Sequence, residues 1–177
     1  SIYINMNKQN IGYITANFLE KEKIEIINWS KIINNKDLYF AKKDGKIDGG
    51  NVTGDLHLTL FYGFDEDKIN KNYIEKIINN VNLGSIEIGD MSTFSFPGQE
   101  YKVLYLAIKD NEGRIKECHE ELKNLPHFAE YQKFKFTPHV AIAFLKKEFD
   151  ETIVTYNGPR FLHIKKIVYH SKGKTIS

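Results

Sequence analysis

Two histidines stand at the heads of two similar runs. The first run is Asp55-Leu56-His57-Leu58-Thr59-Leu60-Phe61-Tyr62-Gly63, and the second is Pro138-His139-Val140-Ala141-Ile142-Ala143-Phe144. Both read as strands, because aliphatic and aromatic residues follow each histidine without a helical period. Side chains alternate across a strand, so His57, Thr59 and Phe61 are expected on one face and Leu58, Leu60 and Tyr62 on the other. In the second run His139 and Ala141 share one face, and Val140, Ile142 and Phe144 share the opposite one. Two imidazoles that meet in one cleft can divide proton transfer between them. One takes a proton from a nucleophile and the other gives one to a leaving group. The Thr59 hydroxyl could donate to charge that builds up in the transition state.

The segment His57-Leu58-Thr59-Leu60 resembles the His-x-Thr/Ser-x repeat of the 2H phosphoesterase superfamily. His139-Val140-Ala141-Ile142 resembles the second repeat except at Ala141, where the family usually has a hydroxyl residue. Trp29, Asp37-Leu38-Tyr39, Phe61-Tyr62-Gly63, Pro138-His139-Val140 and the closing Tyr169-His170-Ser171-Lys172-Gly173 are similar to 2H-type domains found in many bacteriophages. The resemblance covers most of the chain. It implies a two-lobed α+β fold, with two mainly antiparallel sheets and outer helices around a central cleft. The lobes would span roughly 1–95 and 96–177 of one 2H phosphoesterase-like domain.

The resemblance also implies an activity: a metal-independent phosphodiesterase acting where a ribose 2′ oxygen lies beside the phosphorus. Such substrates are 2′,3′-cyclic phosphates, 2′-5′ linkages and cyclic oligonucleotides. His57 and His139 would be the base and acid, Thr59 would hold a phosphoryl oxygen, and Ala141 occupies the matching second position. Phage relatives destroy cyclic-nucleotide alarm signals of bacterial immunity, so an anti-CBASS role in the host cytoplasm is the expectation by analogy. The rival reading is not an enzyme. Loss of one motif hydroxyl would then mark a domain that captures a nucleotide without cutting it, or a structural part of a phage particle.

Composition sets the outer limits. The chain has 177 residues, the size of one domain, and 41% hydrophobic residues with 12 Phe and 10 Tyr give it an aromatic core. A net charge of +2 argues against a dedicated binder of long duplex nucleic acid, but leaves room for a small nucleotide or oligonucleotide. The single cysteine, Cys118, excludes an internal disulfide framework and fits a reducing cytoplasm. No apolar run is long enough for a membrane span, and the polar, Asn-rich start lacks a signal-peptide core. Ser1 in place of Met reads as a tag remnant or the cut end of a longer protein.

The remaining chain must position the two histidine strands. Residues 11–19 read as the first strand, 20–23 as a charged turn, 24–27 as a short partner strand and 29–33 as a helical turn. Residues 38–40 are extended, and 42–54, rich in Gly, Asp and Lys, read as a loop at the mouth of the cleft. A helix is expected from Asp65, with Ile69, Tyr73, Ile77 and Val81 on its apolar stripe and Gly84 as its stop. Strands follow at 85–88, 93–96 and 101–108, with Pro97-Gly98 as a turn. Asn111 is expected to cap a second helix whose stripe is Ile115, Cys118, Leu122 and Leu125, with the thiol buried. Residues 149–156 fit helix or strand, and 161–170 form the last strand.

Other residues carry weaker expectations. Tyr13, Tyr39, Tyr62 and Trp29 are candidates to stack a base, although aromatic core is the commoner use of each. His119 and His127 are expected to face solvent, and His163 and His170, at either end of the last strand, are given no role. No HExxH, clustered carboxylates, Walker loop or GxSxG elbow is present, so no metal or cofactor is expected.

Overall fold

The computed structural model describes residues 10–171 and the strand 174–176. Ser1 and the Lys172-Gly173 end of the closing motif lie outside the described residues. The elements are β1 (Ile11–Phe18), α1 (Glu20–Ser30), β2 (Phe40–Lys43), β3 (Lys46–Gly49), β4 (His57–Asp65), α2 (Lys71–Asn80), β5 (Ser85–Phe94), β6 (Tyr101–Lys109), α3 (Arg114–Leu122), β7 (His139–Lys146), β8 (Phe161–Ser171) and β9 (Lys174–Ile176). The architecture is α+β, as the family resemblance implies.

The strands run in the order β4-β1-β8-β5-β6-β7, all antiparallel, with β9 beside β8. The early half of β8 pairs with β5 through Ser85, Ile86 and Glu87, and its later half pairs with β1. The sheet therefore splays into two wings, and each motif strand is the outermost strand of a wing. The wings do not divide at 95/96. β5 joins the wing of β6 and β7, and β8 returns to the wing of β1 and β4.

Each outermost strand would present an open row of polar backbone groups. Each is covered instead by the segment that leads into the other motif. Tyr39 N donates to Phe144 O, Phe144 N to Gly50 O and Val52 N to Ile142 O, so residues 39–52 cover β7. Asp65 N donates to Pro126 O, and Phe128 N to Gly63 O, so residues 126–128 cover β4. The helices follow the same exchange: α3 packs on β4 and α1 packs on β7.

Several local expectations change. Residues 20–30 form one helix rather than a turn and a strand. Ile26 and Trp29 are buried one helical turn apart, whereas Ile24 is 48% exposed, so the period is not two. Residues 42–54 contain a hairpin, not only a loop. Asp44 and Gly45 have φ of 52° and 76°, the double positive-φ turn that matches strand twist. Asp65 ends β4, and α2 begins after Asn70, whose side chain accepts from Asn72 N and Tyr73 N. Its buried residues are Ile74 and Ile78, while Tyr73 lies outside at 51% exposure. Residues 85–94 are one bulged strand. Gly113, rather than Asn111, is the N-cap of α3, and the Asp110 carboxylate accepts from Ile115 N and Lys116 N in its first turn. The stripe of Ile115, Cys118 and Leu122 is buried as expected. Residues 151–153 make a short 3₁₀ turn.

Candidate active site

The motif histidines are the first residues of β4 and β7, and the same local bond turns each ring. His57 Nδ1 lies 2.8 Å from Asp55 O, and His139 Nδ1 lies 2.8 Å from Thr137 O. A carbonyl oxygen can only accept, so in each neutral ring Nδ1 carries the proton. Nε2 is then the nitrogen left to take or give a second proton. The Asp55 carboxylate is also 3.6 Å from His57 Nδ1, but it is 80% exposed and solvent weakens its pull.

Alternation is broken in both motif strands, and this corrects the expected faces. In β4 the partner on β1 steps from Thr59 to Phe61, leaving Leu60 as a bulge. Phe61 is thereby turned into the core at 1% exposure, and Tyr62 comes out at 44% on the side of Tyr13. In β7 the partner on β6 steps from Ala141 to Ala143, leaving Ile142 as a bulge. Ala143 and Leu145 then join the core, and Phe144 turns out against Tyr101.

β1 supplies the floor beside the first motif. Thr15 stands opposite Thr59, and Asn17 opposite His57, so all four share a face. His170 on β8 joins them: its Nε2 is 2.9 Å from Thr15 Oγ1, and its ring stacks on Tyr13 with centroids 4.6 Å apart. Burial holds the His170 pKa below the ordinary histidine value, Asp55 opposes that shift, and His57 adds to it. Tyr13 is pushed up by burial, then by Asp55 and Tyr62. At the second motif Ala141 stands opposite Tyr105. The His139 ring meets Tyr105 and Phe94 edge-on, with centroids 5.4 and 5.6 Å apart.

A cleft of about 200 Å³ joins the two motifs, reaching Thr59 on one side and His139 on the other. Tyr62 lines it, and Tyr13 lies next to Tyr62 at 5.3 Å. Tyr39 is placed elsewhere. Its hydroxyl donates to Glu100 at 2.9 Å and its ring stacks on Tyr101, beside Phe144. Phe144 is five positions beyond His139, about 16 Å along a strand. Trp29 is core, donating Nε1–H to Thr155 O and packing edge-on against Tyr156.

Neither His119 nor His127 is the solvent-facing side chain expected. His119 is 7% exposed, and its Nδ1 lies 2.7 Å from Leu60 O, the carbonyl at the bulge. His127 is half-buried, held by Leu125 O and the edge of Phe61. His163 is bonded to Glu22 on the outside of the sheet. Sequence reasoning does not single out Thr15, Asn17, Tyr105, Phe94 and His170 beside the motif residues, nor His119, Gln132 and Phe134 in the cleft itself. The period-two run Tyr13-x-Thr15-x-Asn17 was the available signal for β1. Among the described residues no three His, Cys, Asp or Glu side chains group closely enough to hold a metal ion, and no helix is long and apolar enough to cross a membrane.

Known proteins resemble this chain in sequence family and in fold. A profile of the 2′-5′ RNA ligase superfamily matches residues 51–156, more than half of the chain. Usb1 of Kluyveromyces marxianus has a TM-score of 0.60 at 12% identity, over 95% of this chain and 97% of its own. The same protein with uridine monophosphate gives 0.61 at 14% identity, over 94% and 97%. Escherichia coli LigT complexed with 3′-AMP gives 0.53 at 14% identity, over 95% and 92%. No curated protein matches significantly in sequence. With two histidine strands in the matched region, the chain belongs to the 2′-5′ RNA ligase superfamily, the 2H phosphoesterases, and is by class a phosphodiesterase.

Proposed function

We propose that the protein cleaves ribonucleotide phosphodiesters without a metal, using His57 and His139 as its proton-transfer pair. The observation that carries this reading is the matched setting of the two rings. Each heads a motif strand, each has Nδ1–H held by the carbonyl two residues earlier, and each keeps Nε2 for chemistry. One Nε2 takes the proton of the attacking water or ribose hydroxyl. The freed oxygen bonds to phosphorus, the bond to the leaving oxygen breaks, and the other Nε2–H protonates that oxygen. The Thr59 hydroxyl donates to a phosphoryl oxygen as negative charge gathers there. Tyr62 and Tyr13 are the aromatic surfaces beside the reacting phosphate. Tyr39 lies outside this group.

The substrates proposed are 2′,3′-cyclic phosphates, 2′-5′ linkages and cyclic oligonucleotides, the last fitting a phage enzyme that removes cyclic-nucleotide alarm signals. Ala141 supports a second reading: a weakened domain that holds a nucleotide and releases it uncut. A panel of linear 3′-5′, linear 2′-5′, 2′,3′-cyclic and cyclic di- and trinucleotides separates the two. Turnover of at least one class that disappears in His57→Ala and His139→Ala is the result expected. Tight binding with no turnover of any class would establish the second reading instead.

A further inference from the structure

The mechanism above leaves one wall of the cleft without a task. Leu60 is the bulged residue of β4 and has no opposite residue on β1. His119, reaching across from α3, donates Nδ1–H to the Leu60 carbonyl at 2.7 Å. The ring is clamped flat on Phe136, with centroids 3.9 Å apart and planes 5° apart, and it also touches Phe61. With Nδ1 committed as donor, Nε2 is an acceptor on a side chain that lines the cleft. Burial keeps this histidine below its ordinary pKa, which favours the neutral ring and the bare Nε2. Gln132 repeats the arrangement. Its Nε2 donates to Tyr62 O at 2.8 Å, which leaves Oε1, again an acceptor, on the same cleft. The other walls combine the rings of Tyr62, Phe134 and Phe136 with the side chains of Thr59, Thr137 and Lys135, and Phe134 is 77% exposed.

A slot rich in aromatic rings that reaches both His139 and Thr59 suits a flat ring joined to the phosphate. Stacking alone accepts any base, since every base has a π-face. Two fixed acceptors do not: the amino-bearing edges of adenine, cytosine and guanine can offer two N–H hydrogens, whereas an edge without an amino group leaves at least one acceptor desolvated and unpaired. We infer that this cleft is a nucleobase-reading pocket in which His119 and Gln132 favour bases whose edge carries an amino group, such as adenine. This rests on the phosphodiesterase reading for the position of the sugar and phosphate, and adds which bases are favoured. His119 is a specificity-determining residue here, not one that moves protons.

The test removes the donor from the ligand rather than the acceptor from the protein. Binding of adenosine 3′-monophosphate and purine riboside 3′-monophosphate, which differ only in the amino group, is measured calorimetrically on the wild-type chain. The adenosine form is expected to bind at least ~10-fold more tightly, the scale of an unsatisfied buried polar group. His119→Phe keeps the stacked ring and should bring the two within about twofold of each other, while phosphate itself binds as before. Should that variant not fold, Gln132→Met is expected to narrow the ratio in part. Equal affinity of the wild-type protein for both ligands, or binding of neither, overturns the inference. The 2′,3′-cyclic phosphates of the same nucleosides are run for turnover in parallel. Equal turnover of both leaves the phosphodiesterase standing and removes the base reading. Selective binding without any turnover leaves the pocket standing and removes the phosphodiesterase.

Discussion

The chain carries one motif hydroxyl where its family usually has two, and this makes Thr59→Val an informative change. Valine keeps the branched shape opposite Thr15 and removes only the O–H. Losing one preorganised donor to a developing oxyanion typically lowers kcat ~10²–10³-fold, about 2.7–4 kcal/mol. In a relative with hydroxyls in both motifs the second would still act. Here Ala141 leaves none, so the loss should sit near the upper end, ~10³-fold. KM should hardly move, because the donor matters most once charge has formed on the phosphoryl group. The reverse change follows from the same geometry. Ala141 stands on the face of His139, so Ala141→Thr should raise kcat, and Thr59→Val/Ala141→Thr should recover part of what Thr59→Val loses. Steady-state kinetics on whichever substrate the panel identifies would read all three. If Thr59→Val stays within about threefold of wild type, or the double variant is no better than Thr59→Val, the hydroxyls are not phosphate contacts.

His57→Ala and His139→Ala should each lower kcat ~10²–10⁴-fold, and EDTA should leave the wild-type rate unchanged. A rate lost in EDTA and restored by a divalent ion would exclude the two-imidazole mechanism. The rate should be bell-shaped in pH, since one ring must start neutral and its partner protonated, and each single variant should lose a limb. His119 and His170 are both held below the ordinary histidine value by burial, so the unfolded chain takes up protons first as pH falls. Thermal unfolding should therefore occur at lower temperature at pH ~5.5 than at ~7.5, with the loss beginning near ~6.5; a Tm that rises on acidification would contradict neutral buried rings. Burial, then Glu121 and Glu117, pushes the Cys118 thiol up to about 11. Ellman's reagent at pH ~8 should thus label the protein only after denaturation, and fast labelling of the native protein would place that thiol at the surface.

The chemistry was more legible than the scaffold that holds it. His57 and Thr59 could be put on one face because a strand's period is two, and that survives as far as Thr59. It fails at Leu60 and at Ile142, where one extra residue flips the side chains that follow, until Gly63 shifts the register of β4 again. A bulge of this kind leaves no mark in composition, so strict alternation puts Phe61, Tyr62 and Phe144 on the wrong faces. Residues 20–30 misled for another reason. Their isoleucines favour a strand locally, and only packing on β7 decides for a helix. The Asp44-Gly45 pair is a readable hairpin turn, but the Gly, Asp and Lys around it give the stretch the composition of a loop. His119 had no local signal at all. Its partner, Leu60 O, is a backbone atom 59 positions away, and nothing in a helix stripe announces such a bond.

The crossed coverage of the motif strands bears on how this chain can be cut and rejoined. Residues 39–52 complete the wing that holds His139, and residues 126–128 complete the wing that holds His57. A break near 95 would give two fragments, each carrying the edge piece that the other lacks. Neither would be a free-standing module, but together they would interlock, as in a split-reporter pair whose assembly restores both histidines at once. The tip of the β2–β3 hairpin is the opposite kind of place. It projects beyond the paired backbone at Asp44 and Gly45, so extra residues inserted there would lengthen an outlying finger without moving either imidazole.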